Sequence, residues 1–271
     1  MTKIRLEDLL NFNARGYIPG PGETEEQFLK RIEILNHFYA YPPAEIDCFL
    51  TDGDWKEARA LTDQLFGFSI DWAVAYYSDK KLPFFQGAAT WLIEKQGIQI
   101  PMIQLKTRLE QAALYKMYHK KEILAHESVH AARMAFHAPR FEEIFAYMSS
   151  RSPVRKWLGP MFQKSWESYL FFILLIGSVI LQLFVESTLF FLFPWLYFAF
   201  LCGRLIFLRF KLGQCLKKLK IVLLKPEQAL PMAYRLTDQE ILLFAKATPA
   251  QIKSYCAEQK ELRWKLLHNL R

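Results

Sequence analysis

The chain has 271 residues and a formal net charge of +8; 52% of its residues are hydrophobic, 15% aromatic with 23 Phe, and 23% charged. The basic excess gathers around one apolar stretch and no nucleic-acid module spacing is present, so the composition points to a membrane and away from nucleic acid. Cys48, Cys202, Cys215 and Cys256 have no C-x-x-C or paired spacing, which excludes a disulfide framework and fits reduced, unlinked thiols.

Residues 1–12 lack an apolar run of signal-peptide length, so the start of the chain is expected to stay in the cytoplasm. Residues 1–22 read as an entry segment ending in the turn-rich stretch from Gly16 to Gly22. Residues 23–40 then read as an amphipathic helix. Thr24 and Gln27 have capping-box spacing, and Phe28, Ile32, Leu35 and Phe38 share one stripe. Pro42 and Pro43 stop it, and a second helix is expected over 54–65. Both are expected to pack on a core.

From Phe66 the chain turns aromatic and β-branched. Residues 68–77 are expected to form a strand that ends at the turn 78–81. Residues 88–93 and 98–103 are expected to pair as a hairpin around Glu94-Lys95-Gln96-Gly97. Pro101 cannot donate to a ladder, which places the second strand at a sheet edge. Residues 107–118 are expected to be helical.

The next helix carries His126-Glu127-Ser128-Val129-His130, an H-E-x-x-H. Residues i and i+4 share one helix face, so both imidazoles can point at one ion, and neutral ring nitrogens suit Zn2+. Glu127 lies about 100° round the helix, where its carboxylate can take a proton from a water on the metal. Residues 120–136 contain no Pro or Gly and are rich in good helix formers, with Ile123, Leu124, Val129 and Met134 available for burial. The chemistry implied is metal-assisted peptide hydrolysis.

A catalytic zinc needs a third protein ligand and one open position. His119 is too far back along the axis, and His137 would lie ~10 Å beyond His130 on a continuing helix. Zinc proteases that use a third histidine have a glycine soon after the second, whereas Ala131-Ala132-Arg133 stands here. Residues 137–140 read as a helix stop and 141–148 restart a helical pattern. A tight helical hairpin can therefore return Glu142 or Glu143 to the metal, the other pairing with Arg133 or staying in solvent.

At these residues the chain resembles the gluzincin metallopeptidases, the thermolysin-like group with H-E-x-x-H on one helix and a glutamate ligand on the next. The short spacing is most similar to that of their miniature members. The resemblance covers about residues 84–150 and implies a zincin-like α+β fold. It implies Zn2+ held by His126, His130 and Glu143, with Glu142 the alternative third ligand, and Glu127 as the group that activates water. It also implies that residues 87–102 provide the sheet edge on which a peptide or protein substrate adds as a strand. Four residues after the ligand glutamate that family often has an aspartate, where this chain has Tyr147. Tyr147, or a tyrosine between Tyr115 and Tyr118, is a candidate second donor to the scissile carbonyl. Cys48 could plug the metal as a thiolate, but no motif around it supports that role.

Residues 150–160 read as a basic linker with two prolines. Residues 169–185 and 188–208 are each near the length that spans a bilayer, and the break at Glu186-Ser187 is so short that the two must form a hairpin. Arg151, Arg155, Lys156 and Lys164 precede it, and Arg204, Arg209, Lys211, Lys217, Lys218 and Lys220 end or follow it. By charge bias both flanks face the cytoplasm, with Arg204 snorkelling to the inner interface. The remainder reads as two helices opened by the capping boxes Thr237/Glu240 and Thr248/Gln251. Anionic lipid, the catalytic domain and solvent are the alternative surroundings for the last.

The expected organisation is α+β: a helical region over 1–65, a zincin-like core over 66–150, a linker over 151–168, a transmembrane hairpin over 169–208 and a cytoplasmic helical tail over 209–271. The expected function is a membrane-anchored zinc endopeptidase whose partners are a peptide or protein substrate and membrane lipid, with no nucleic acid. A non-catalytic two-span adaptor, or a pseudo-metallopeptidase, is the alternative.

Overall fold

A computed structural model describes residues 4–42, 49–83, 86–111, 113–114, 118–185 and 187–269. Among them helices outweigh strands, and one small mixed sheet makes the fold α+β. The entry segment contains a helix the sequence reading lacks, α1 (Leu6–Ala14), with Glu7 and Asp8 in its first turn, where the helix dipole favours negative charge. α2 (Glu25–Ala40) starts as its spacing predicts: Thr24 and Gln27 cap each other's amides, and Phe28, Ile32, Leu35 and Phe38 are all buried. α3 (Asp52–Phe66) follows. Cys48 lies outside the described residues.

The first strand, β1 (Val74–Tyr77), is shorter than expected. Phe68, Ile70 and Trp72 are buried, but this stretch serves the end of α1: the Ser69 amide donates to the Ala14 carbonyl and the Trp72 indole Nε1 to that of Arg15. β2 (Ala88–Lys95) and β3 (Ile98–Leu105) form the predicted hairpin. Its two turn residues, Gln96 and Gly97, both have positive φ, as a tight hairpin demands. The order is β1-β3-β2, so the strand holding Pro101 is central, which corrects the edge expected from the proline. Parallel pairing with β1 begins at Val74↔Met102, one residue beyond Pro101, so the proline has no β1 partner to donate to. Among the described residues β2 pairs on one side only, while the outer side of β1 meets Phe49 through a bridge at Tyr76.

Of the stretch 107–118, residues 112 and 115–117 lie outside the described residues, and the others do not form the helix expected. Thr107–Gln111 forms a 3-10 turn, and β4 (Ala113–Leu114) pairs antiparallel with β5 (Tyr118–His119). Asp79 accepts from both the amide and the hydroxyl of Thr107 at the start of the 3-10 turn.

α4 (Lys120–Ala132) buries Leu124, Ala125, Val129, Ala131 and Ala132, and Lys120 bonds Asp54 of α3 at 2.5 Å. It ends at Ala132, earlier than its composition suggests, because Arg133 is buried and donates to the carbonyls of Tyr234 and Leu236. A turn follows with His137 at φ +48°, and the chain re-enters helix as α5 (Glu142–Ala146). Asp238 accepts from the amides of Arg140 and Phe141, just before that helix.

The segment read as a linker is an ordered helix, α6 (Pro153–Leu158), capped by Ser152 and followed by a 3-10 turn at Gly159–Met161. Gly159 is required by contact: a Cβ there would stand 2.2 Å from the Tyr147 ring.

Two long apolar helices come next, α7 (Ser165–Phe184) and α8 (Leu192–Val222). Both are long and apolar enough to cross a membrane, and only 11% and 17% of their most apolar windows are buried. That exposure is unlike the core helix of a soluble protein. Glu186, expected at the tip, lies outside the described residues. Arg204, expected at the inner interface, has protein partners there that its sequence position did not name. It bonds both Glu167 carboxylate oxygens (2.6 and 2.8 Å) and the Met161 carbonyl (3.0 Å), which neutralises its charge inside the protein.

α8 continues well past residue 208 as a 31-residue rod, ~46 Å at 1.5 Å per residue. Its far half buries Leu205, Leu208, Leu212, Cys215 and Leu219 at helical spacing. These meet α9 (Ala229–Tyr234), α10 (Asp238–Lys246) and α11 (Pro249–Glu258) in the same apolar cluster that holds the sheet and α4. Both predicted capping boxes are present. The last helix, α12 (Leu262–Leu267), buries Trp264, Leu266 and Leu267 and packs on α1, with Lys265 paired to Glu25. The C-terminal segment thus supports α4 from behind: the Tyr234 hydroxyl donates to the Val129 carbonyl at 2.8 Å.

Candidate metal centre

α4 and α5 pack side by side, and their facing residues bring three donor groups together. His126 and His130, one turn apart on α4, place their Nε2 atoms 3.3 Å from each other. Glu143, in the first turn of α5, sets Oε2 3.6 Å from His126 Nε2 and Oε1 3.4 Å from His130 Nε2. One donor atom from each of the three residues lies within 4.8 Å of the others. Ligand atoms ~2.0–2.1 Å from a tetrahedral zinc stand ~3.3–3.4 Å apart, so the spacing and the N, N, O chemistry both fit that ion.

Burial and neighbouring charges set the protonation of the donor groups. Burial and the neighbouring His130 charge hold His126 well below its ordinary pKa, against a hydrogen bond to the Ala146 backbone. Burial alone would lower His130 too, but Glu143 and Glu142 outweigh it and push it up to about 10. Burial raises Glu143 to about 7, against the attraction of His130. A proton on His130 therefore sits where a metal cation would satisfy the same carboxylates.

Glu142 does not pair with Arg133, as the sequence allowed; its Oε1 meets Nδ1 of His130 at 2.8 Å. A carboxylate on the far nitrogen of a ligand histidine fixes the ring and its tautomer. Glu127 is nearly buried, and its Oε2 accepts from Thr90 Oγ1 at 2.7 Å. Burial raises its pKa, tempered by His130 and Thr90. Tyr147 presents its ring edge-on to His126, with centroids 4.6 Å apart. Tyr115 lies outside the described residues, as does the side chain of Tyr118. His119 and His137 are exposed and stay out of the donor group.

These groups line one cleft of about 720 Å3, within the ~300–1,000 Å3 range of ligand sites. Thr90, Trp91 and Leu92 of the β2 edge strand form a wall of it. Sequence reasoning missed Thr90 and the His130–Glu142 bond. Thr90 shares its strand face with Ala88, which is buried, so period-2 alternation marks it as inward-facing without naming its partner. Comparison of the chain with protein-family models, curated proteins and solved structures finds no match.

Proposed function

We propose that the chain is a zinc-dependent endopeptidase of the gluzincin kind, held at a membrane by α7 and α8 with its site and both termini on the cytoplasmic side. The observation that carries this reading is the placement of Glu127: a buried carboxylate, fixed by Thr90, beside a His126–His130–Glu143 donor group and the edge strand β2.

His126, His130 and Glu143 would hold the ion. Zinc, when bound, acts as a Lewis acid that polarises a carbonyl and eases deprotonation of a water. With Oε2 held by Thr90, Glu127 would take the water proton on its other carboxylate oxygen. The water oxygen bonds to the carbonyl carbon, the C–N bond breaks, and Glu127 passes the proton to the leaving nitrogen. The outer edge of β2 offers main-chain donors and acceptors to an extended substrate, which fixes direction with little demand on sequence. Tyr147 is the candidate second donor to the carbonyl oxygen.

The test uses the purified full chain and a library of unstructured peptides. Cleavage should stop on chelation and return with zinc. Glu127→Gln should keep the metal and lose ~10²–10⁴-fold in rate. Metal binding with no cleavage of any peptide would favour the adaptor reading, and wild-type turnover by Glu127→Gln would refute the assignment of the base.

A further inference from the structure

The cleft does not end at the donor group. From His126, Glu127 and Glu143 it runs on to Gln163, Ser168 and Tyr169, the last two within the first turns of α7. Tyr169 is also where the apolar run of that helix begins. The site and the foot of the first candidate span are thus two ends of one groove.

That groove is built to keep its length. Arg155 Nη2 of α6 bonds the buried Glu122 Oε2 of α4 at 2.7 Å, and Gln163 Nε2 donates to the Arg140 carbonyl at 2.9 Å. Gly159 lies against the Tyr147 ring, and Arg204 of α8 holds the Met161 carbonyl. A flexible tether would let the site swing away from the bilayer, whereas this clamp holds it in place.

The level of the bilayer surface is marked at the same height of the fold. Val154, Trp157 and Leu158 of α6 and Trp166 of α7 are each more than half exposed. The Arg209 guanidinium of α8 covers the Trp157 ring at 4.7 Å, and Phe210 beside it is also exposed. Exposed Trp among Arg and Lys, next to an apolar span, is the composition of a lipid headgroup boundary.

We propose that the cleft receives extended, membrane-proximal segments of other membrane-anchored proteins. The proposal rests on the peptidase reading above and on α7 and α8 crossing a bilayer. A chain leaving the membrane beside α7 enters the groove at Tyr169 and Ser168 and reaches Glu127 while pairing along β2. A soluble folded protein meets lipid on that side.

The test places the full chain in phosphatidylcholine–phosphatidylglycerol vesicles with zinc and a single-span test protein. The segment this protein exposes beside the enzyme is a row of identical copies of one extended peptide that the enzyme cleaves in solution. Mass spectrometry of the products should show cuts confined to the copies within ~10 residues of the span, a reach of ~33 Å for extended chain. In parallel, full-length Glu127→Gln with a photo-crosslinking residue replacing Ser168 should capture the membrane-proximal copy alone. Even cutting along the row, or crosslinks to distal copies, would overturn the proposal and leave the peptidase reading intact. Neither crosslink nor cut in the row would overturn the proposal alone, whereas failure to cleave any peptide in solution would overturn the peptidase reading on which it rests.

Discussion

Glu142 Oε1 meets His130 Nδ1 at 2.8 Å, while the adjacent Glu143 faces the Nε2 side of the same ring at 3.4 Å. Two consecutive carboxylates therefore meet opposite ends of one imidazole, and in the proposed site they would divide two tasks: Glu143 to reach the ion and Glu142 to orient the ring that faces it. The His137 turn, at φ +48°, helps bring α5 alongside α4 in the register that allows this division.

Glu142→Ala should weaken zinc binding ~10–100-fold without changing the stoichiometry, because an outer-shell partner of a ligand histidine is lost. Competition against a chelator of known affinity measures it. Unchanged affinity would make the His130–Glu142 bond incidental.

Thr90→Val removes the hydroxyl that holds Glu127 Oε2. A hydrogen bond to a charged group contributes ~1.5–3 kcal/mol, so kcat should fall at least ~10-fold if that bond positions the base in the transition state. KM should barely move, and steady-state kinetics on one good peptide separates the two.

Gly159→Ala drives a methyl group into the Tyr147 ring, which packs on His126. Overpacking of this kind costs ~1–3 kcal/mol. The melting temperature should drop, and zinc affinity with it, because the ring edge steadying His126 must shift. A variant that melts normally would show that α6 yields at no cost.

Arg263 and Glu240 form a two-bond pair with both side chains nearly buried. Burial alone would raise the Glu240 carboxyl, but the bonds from Arg263 and Thr237 hold it below its ordinary 4.5. A carboxyl lowered in the fold adds stability that is present above the unfolded pKa and lost as pH falls through the folded one. Wild-type stability should therefore decline from about pH 5 to about pH 3 more steeply than that of Glu240→Gln. Arg263→Met, which strands the carboxylate, should cost ~3–5 kcal/mol at neutral pH. Chemical denaturation across that pH range tests both.

How much of this was legible in the sequence depends on how local each cause is. The capping boxes at Thr24, Thr237 and Thr248 act over three residues, and all three helices begin where the spacing puts them. The hairpin between β2 and β3 is likewise local. The end of α4 is not: Arg133 leaves the helical path for carbonyls about a hundred residues away at Tyr234 and Leu236. The same holds for Pro101, whose strand becomes central only because β1 arrives from earlier in the chain. In the site, the two histidines and Glu127 follow from one helix turn. The bond from Thr90 crosses 37 residues, and no local pattern names it.

Metal content of the purified full-length protein, wild type beside Glu143→Ala, tests the centre of the proposal most directly. His126, His130 and Glu143 gripping one ion require about one zinc per wild-type chain and loss of that zinc, or of most of its affinity, in Glu143→Ala. A wild-type protein that binds no zinc from a buffered solution, or a Glu143→Ala protein that binds it equally well, would contradict that assignment.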